Sequence, residues 1–499
     1  MRKSLLLYIL CVITLKGACS TFTLTPLYQK AYIEILRLRF EAANNIISKE
    51  KIENPGNVAF IYLEAYQDFL KSIISEDPNE YDKIQDRKSE RIKILNNVSE
   101  DSPWKIYAQA QLFLQEGIAS VKSGEYVQAA LDIKKAYTLF EENLRKFPQF
   151  KPNKAGIGLL YVLVGSIPDS YKWVPGIFGM QGNVKKGIGL LHETILYNPP
   201  DNKWPFLFNE SLFITTFITF NLAGTDENIN LLNSVLKDKR LQSELQINPL
   251  LIYAVSSFYS SQGENDKALQ LLKKRPADIS YYNFRYLDYL TGIACLNKLD
   301  PQSRIYLFKY ITHFKGRNFI KSAYQRLAWS YLIEKDTLNY NKYISRVLLF
   351  GVSDMENDKD ALSEAQSGSL PKVELLKARL LFDGGYYSSS FQVITAINYE
   401  KLTTDQKIEF NYRTARIKHK EGNLAKAKES YYKTFKTGRN SDNYYAANSM
   451  LNLGIIFEKE GKSEQALYCY RECLNLKFSG YQASIHQKAK AGLSRLSKK

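Results

Sequence analysis

The sequence predicts an all-α chain: an α-solenoid of antiparallel helix pairs, superhelical in its C-terminal half and diverged in its N-terminal half. Three observations carry this expectation. Small residues recur as Ser256, Gly292, Ala328, Ala378, Ala415 and Gly454, at spacings of 36, 36, 50, 37 and 39 residues. Independently, a glycine is followed five positions on by alanine in Gly263–Ala268, Gly422–Ala427 and Gly461–Ala466. No stretch alternates like a strand between hairpin turns. One helix pair cannot bury its apolar face alone, so stacked pairs are expected to share a continuous core and a curved groove.

Residues 1–20 read as an export signal. Arg2 and Lys3 form a basic start, and Leu5 to Leu15 an apolar stretch shorter than the roughly 20 residues of a membrane span. Ala18-Cys19-Ser20 supplies small residues for a signal peptidase, with cleavage expected after Ser20. Gly17-Ala18-Cys19 also resembles the end of a bacterial lipobox, which would make Cys19 a lipidated N-terminus; Lys16 stands where that motif carries an apolar residue. Either reading places the chain in the periplasm or cell envelope of a bacterium, as an outer-membrane lipoprotein in the second case.

Loss of the signal takes the formal charge from +17 to +14. The lysines are spread along the chain, as solvated helix faces require, and export makes nucleic acid the weakest candidate partner. Three cysteines remain, Cys295, Cys469 and Cys473; an odd number argues against a disulfide framework, and none belongs to a zinc-binding pattern.

Residues 21–248 form the diverged region. Leu27 to Lys49 and Val58 to Ser75 have apolar residues at helical spacing, punctuated by Asn54-Pro55-Gly56 and Asp77-Pro78-Asn79. Gly124 and Ala129 repeat the five-residue rule, which makes Trp104 to Lys146 an outlying pair; Gly182 with Gly187 and Gly385 with Ser390 are weaker copies. Residues 156–189 concentrate eight glycines among Tyr161, Tyr171, Trp173 and Phe178. They read either as a ligand-contacting loop, with Pro168, Trp173 and Pro175 facing a partner, or as close helix packing around an irregular connection, the simpler account. Ser211 to Leu222 is apolar for about three turns, the length of a buried core helix rather than a membrane span.

Residues 249–496 hold the array. Met450, Leu453, Gly454 and Phe457 fall at W-x2-L-G-x2-Y spacing; Gly461 closes that helix and Ala466-x3-Tyr470 follows as A-x3-F. Tyr324, Leu327, Ala328 and Tyr331 fill the same slots, and Asp288, Gly292 and Cys295 do so less well. In these residues the chain resembles the tetratricopeptide repeat family, as a divergent exported member. It departs from the family in lacking Trp at the first slot and most terminal prolines. Residues 351–370, rich in Asp, Glu, Ser and Gly, account for the 50-residue interval; Asp358 to Gln366 could add a short helix there, and the whole is read as a loop on one rim.

Catalytic patterns fail on inspection. Gly461-Lys462-Ser463 has Ile456 where a phosphate-binding loop needs glycine, Gly156-Ile157-Gly158 lacks the third glycine of a dinucleotide fingerprint, and Leu196 replaces the second histidine after His192-Glu193. His192, His313, His419 and His486 are scattered. No catalytic residue, cofactor site or metal site is assigned, and residues 156–189 are the only candidate pocket for an enzyme. The resemblance implies a non-enzymatic scaffold that holds a protein or peptide partner in the solenoid groove. The rival is a surface or periplasmic lipoprotein that captures glycan or nutrient for an outer-membrane system.

Overall fold

The computed structural model describes residues 20–98, 101–167, 179–197, 204–221 and 226–496. The signal segment with Cys19 lies outside these residues, as do Pro168, Tyr171, Trp173, Pro175 and Phe178. Among the described residues there are twenty-five α-helices and no strand beyond two isolated bridges.

The N-terminal helices pair in sequence: α1 (Pro26–Leu36) with α2 (Phe40–Glu53), α3 (Phe60–Ser75) with α4 (Pro78–Asn96), α5 (Pro103–Ser123) with α6 (Tyr126–Lys146), and α7 (Lys151–Gly165) with α8 (Val184–Ile195). Their starts are written locally. Thr25, Asp77 and Ser102 each accept a backbone N–H at a helix N-terminus, with proline in the first turn. Within 156–189, Gly156, Gly158, Gly165, Gly182 and Gly187 serve close packing: a Cβ at Gly158 would press the Gly187 carbonyl, and one at Gly182 would overlap the Gly165 backbone, whereas Gly189 faces open space and Gly179 takes a φ of 62°. Gly182 therefore is not a turn glycine like the others. The apolar run becomes α9 (Pro205–Asn221), followed by α10 (Asp226–Val235) and α11 (Lys239–Glu244). No helix among the described residues is long and apolar enough to cross a membrane.

Six pairs follow: α12 (Pro249–Ser261) with α13 (Asn265–Lys274), α14 (Tyr286–Asn297) with α15 (Ser303–His313), α16 (Ile320–Leu332) with α17 (Thr337–Leu349), α19 (Val373–Asp383) with α20 (Tyr387–Thr395), α21 (Thr404–Lys420) with α22 (Leu424–Gly438), and α23 (Tyr445–Lys459) with α24 (Ser463–Asn475). Helix α25 (Gln482–Leu496) packs over the last pair. The small slots lie where first helix meets second: a Cβ at Gly292 would strike Leu307, and one at Gly454 would strike Tyr470. Gly263, Gly422 and Gly461 turn the chain at φ of 75°, 79° and 74°, the left-handed region that glycine enters freely.

One expectation is corrected. Residues 351–370 are not a loop throughout, because Glu356–Ser367 forms a helix, α18, packed on α16 and α17 and longer than the short helix that the sequence allows at 358–366. Only Asp358 and Ala361 are buried, and α18 is held by hydrogen bonds to its neighbours rather than by an apolar stripe. The fully buried apolar residues group into six clusters among the described residues, several of them joined through shared half-buried side chains: Phe213 and Phe284, Leu290, and Tyr343. Beyond α18, Leu376 and Leu380 of α19 join Leu296 of α14 and Trp329 of α16.

The array thereby folds back on itself. The α19–α20 turn meets the α12–α13 turn, where a Cβ on Gly385 would overlap the Gly263 carbonyl oxygen. Asn265 donates to the Tyr386 hydroxyl (3.1 Å), which donates to Asp266 (2.9 Å). The N-terminal pairs fold back too. The Tyr282 N–H donates to the Leu38 carbonyl at 2.8 Å, Arg37 pairs with Glu244 at 2.6 Å, and Asn318 donates to Glu76 at 2.9 Å.

Candidate functional site: the inner face of the C-terminal array

On each first helix the small slot faces the second helix, so the residues two before it and one after it lie on another flank. At Ala328 these are Arg326 and Trp329; at Ala378 the following residue is Arg379; at Ala415 they are Arg413 and Arg416. Fold-back brings them together. The Arg326 and Arg379 guanidinium carbons lie 4.3 and 4.8 Å from the Trp329 ring centroid, and that of Arg416 lies 4.1 Å from Phe382. Arg413 faces Tyr445 at 5.9 Å, and Tyr412, Tyr445, Tyr444 and Tyr481 continue the aromatic row with centroids 4.7 to 5.2 Å apart.

Carboxylates temper this charge without cancelling access. Asp383 lies 3.8 Å from Arg379 and 3.5 Å from Arg416, and Glu409 is paired with Arg413. Arg413 is almost wholly buried, whereas the side chains of Arg379 and Arg416 stay 21% and 31% exposed. The Arg326 Nε is buried without a hydrogen-bond partner. Guanidinium groups over aromatic rings remain charged and present planar donors, a surface suited to carboxylates and peptide groups.

Helix α18 borders this face and covers part of it. Asp358 accepts from the backbone N–H groups of Phe319 (2.6 Å) and Ser322 (2.9 Å), which caps α16 from another element. Burial raises the Asp358 carboxyl to about 6, against the pull of those two amides. Glu364 accepts from the Trp329 indole (2.8 Å), Gln325 (2.8 Å) and Tyr340 (3.2 Å). Asp360 faces the same row, where Tyr481 bonds it and Arg379 and Arg326 lie close enough to favour its charge.

Two further features stand apart from this face. A groove of about 440 Å³ lies among α22, α23 and α24, lined by Tyr432, Met450, Leu453, Phe457 and Tyr468. It carries no converging polar groups beyond Lys428, Glu464 and Gln465 at its rim. In the N-terminal half Glu210 is buried among Tyr32, Tyr66 and Tyr107, and burial raises its carboxyl to about 7. Such a group suits proton transfer, but it is 3% exposed and its oxygens already accept tyrosine hydroxyls, Tyr32 at 3.0 Å and Tyr107 at 3.4 Å. It is a packing device. Among the described residues no three His, Cys, Asp or Glu side chains are grouped to hold a metal ion. Cys295, Cys469 and Cys473 are buried free thiols, the first pushed up to about 11 and the others to about 12 by desolvation.

The repeat-defining residues occupy structural positions. Ser256, Ala328, Ala378 and Ala415 are buried on the first helices, Ala268, Ala427 and Ala466 on the second, and Gly263, Gly422 and Gly461 sit at turns. None of them lines the inner face. The arginines and Trp329 do, and sequence reasoning passed over them. Their signal was present as arginine at fixed offsets from three successive small slots.

The tetratricopeptide repeat family's model matches residues 410–477, which span α21 to α24. Tetratricopeptide repeats are thus present in this all-α array. No curated protein matches the chain. Among solved structures, a chain of the APC/C hetero-tetramer Cut9–Hcn1 is similar at 11% identity, covering 95% of this chain and 96% of its own, with a TM-score of 0.23.

Proposed function

We propose that this protein is an exported, non-enzymatic scaffold that binds a protein or peptide partner along the inner face of its C-terminal array. The observation that carries the reading is the row of Arg326, Arg379, Arg413 and Arg416 laid over Trp329, Phe382 and Tyr445, part of it open to solvent. Aromatic residues and arginine contribute disproportionately to protein interfaces, because they combine large contact area with directional donors. The tetratricopeptide repeats at 410–477 support the same class.

The test places a photo-crosslinking amino acid at Tyr444, half-buried in the aromatic row, in cells that express the protein at its native level. A discrete partner band is expected, and the double variant Arg379→Glu, Arg416→Glu should lose it while keeping its helical circular dichroism. A band that survives charge reversal moves the interface off this face. Export rests on Arg2, Lys3 and the apolar stretch that follows. Intact mass of the protein from the envelope should show a start at Thr21 or a lipid on Cys19, and a chain that retains Met1 overturns export.

A further inference from the structure

Helix α18 is an unusual lodger on the inner face. Only Ala361, buried completely, and Asp358 are inaccessible; Glu356, Asp358, Asp360 and Glu364 make it acidic. It is attached through a strip of residues three apart and, beside that strip, through Asp360, which Tyr481 bonds. Asp358 holds the N-terminus of α16, Ala361 touches down, and Glu364 meets Trp329 and Gln325 one turn further along α16. Glycines flank it, Gly351 at φ 75° and Gly368 at φ 61°. The Asp358 contact satisfies amides that α16 leaves open, because its own N-cap, Phe319, has no side-chain oxygen to offer. The Glu364 contact engages the very ring on which Arg326 and Arg379 lie.

We infer that residues 356–367 are an internal ligand: a tethered acidic helix that occupies part of the partner-binding face of α16 and is displaced by an acidic helical segment of the partner. This rests on the inner face being the binding face. The partner segment is specified by the contacts it must replace. It carries one carboxylate for the Phe319 and Ser322 amides, a small residue three positions on, and a second carboxylate three further for Trp329 and Gln325. Attachment through a few charged hydrogen bonds, with little apolar burial, makes α18 the element of the array that opens most readily. The helix pairs around it are held by their apolar clusters instead.

The probe is this chain's own helix, supplied as a fluorescein-labelled synthetic peptide of residues 352–370. The wild-type full chain should bind it at least tenfold more weakly than the double variant Asp358→Asn, Glu364→Gln, whose own helix is loosened while the residues of α16 are unchanged and its Phe319 and Ser322 amides are left for the peptide to cap. A peptide with alanine at the two carboxylate positions should bind neither. Equal binding to both chains, or to neither, overturns the inference. A second measurement needs no variant. In wild-type protein, amide hydrogens of 357–367 should exchange at least a hundredfold faster than those of α17 and α19, and exchange in step with them overturns the inference. Both readouts use only this chain and its peptide. Their failure leaves the crosslinking result at Tyr444 intact, and failure there leaves a displaceable helix without a partner face.

Discussion

Glu210 is where a single residue sets a measurable property of the protein. Burial raises its carboxyl from 4.5 to about 7, although Tyr32, Tyr66 and Tyr107 pull the other way. The folded chain then holds this proton more tightly than the unfolded chain does. The stability it contributes is complete below about pH 4.5 and is lost as pH rises through about 7, on the order of 3 kcal/mol in all. Glu210→Gln should keep the tyrosine contacts and flatten the fall of the urea midpoint between pH 5 and 9. Glu116, also raised to about 7 by burial, leaves part of the slope in place. A slope unchanged by the substitution would assign it elsewhere. Gly385 poses a different problem at the same scale. Gly422 has φ of 79° with open space around it, whereas Gly385, at 81°, lies against Gly263. Gly422→Ala should therefore cost only the left-handed backbone, about 1–2 kcal/mol. Gly385→Ala adds a steric overlap with another turn and should cost roughly 2–5 kcal/mol by chemical denaturation. Equal costs would mean the two turns separate without penalty.

At the scale of elements, what could be read in advance was whatever a helix pair decides by itself. Turn glycines and small slots were legible because their causes, a left-handed φ and a close helix crossing, act within some twenty residues. Helix α18 was legible as helix-forming letters at 358–366 but not as a packed element, since the contacts that hold it belong to Phe319, Ser322, Gln325 and Trp329 rather than to its own periodicity. The arginines at offsets from Ala328, Ala378 and Ala415 were visible as letters but not as a surface. Nothing local says that α16, α19 and α21 will turn those flanks toward one another. The last helix shows the opposite case. Tyr470 is clamped between Gly454 of α23 and Gly492 of α25, with Ile485 and Ala489 closing the cluster. A chain ended after Ser479 leaves Tyr470, Cys469 and Cys473 facing water. Capping units are what keep such arrays from fraying. Hydrogen exchange should then rise across 445–475 while 249–313 keeps its protection; unchanged protection at 445–475 would show that α25 caps nothing.

For the whole molecule, the decisive fact is that contacts reach far beyond neighbouring pairs. An open solenoid behaves as a one-dimensional stack, in which each unit touches only the next and ends can unfold separately. Here Gly385 meets Gly263, Tyr386 bonds Asn265 and Asp266, Asn318 bonds Glu76, and Tyr282 bonds Leu38. These contacts close the chain across turns of the superhelix, so the loss of one unit removes support from units remote in sequence. They also bring the arginine-bearing flanks of α16, α19 and α21 together instead of leaving them spread along an open groove. The consequence for unfolding is specific. Trp104 and Trp204 lie in the N-terminal cluster and Trp329 in the array. In urea, tryptophan fluorescence of the wild type and of a Trp329→Phe variant should give transitions that coincide with the loss of helical circular dichroism, each normalised to its own stability. Gly385→Ala should move all of them together, although it touches neither tryptophan cluster. If instead the Trp329 signal shifts alone and the N-terminal signal stays put, the long-range contacts are passive, and the array unfolds as an ordinary stack of independent pairs.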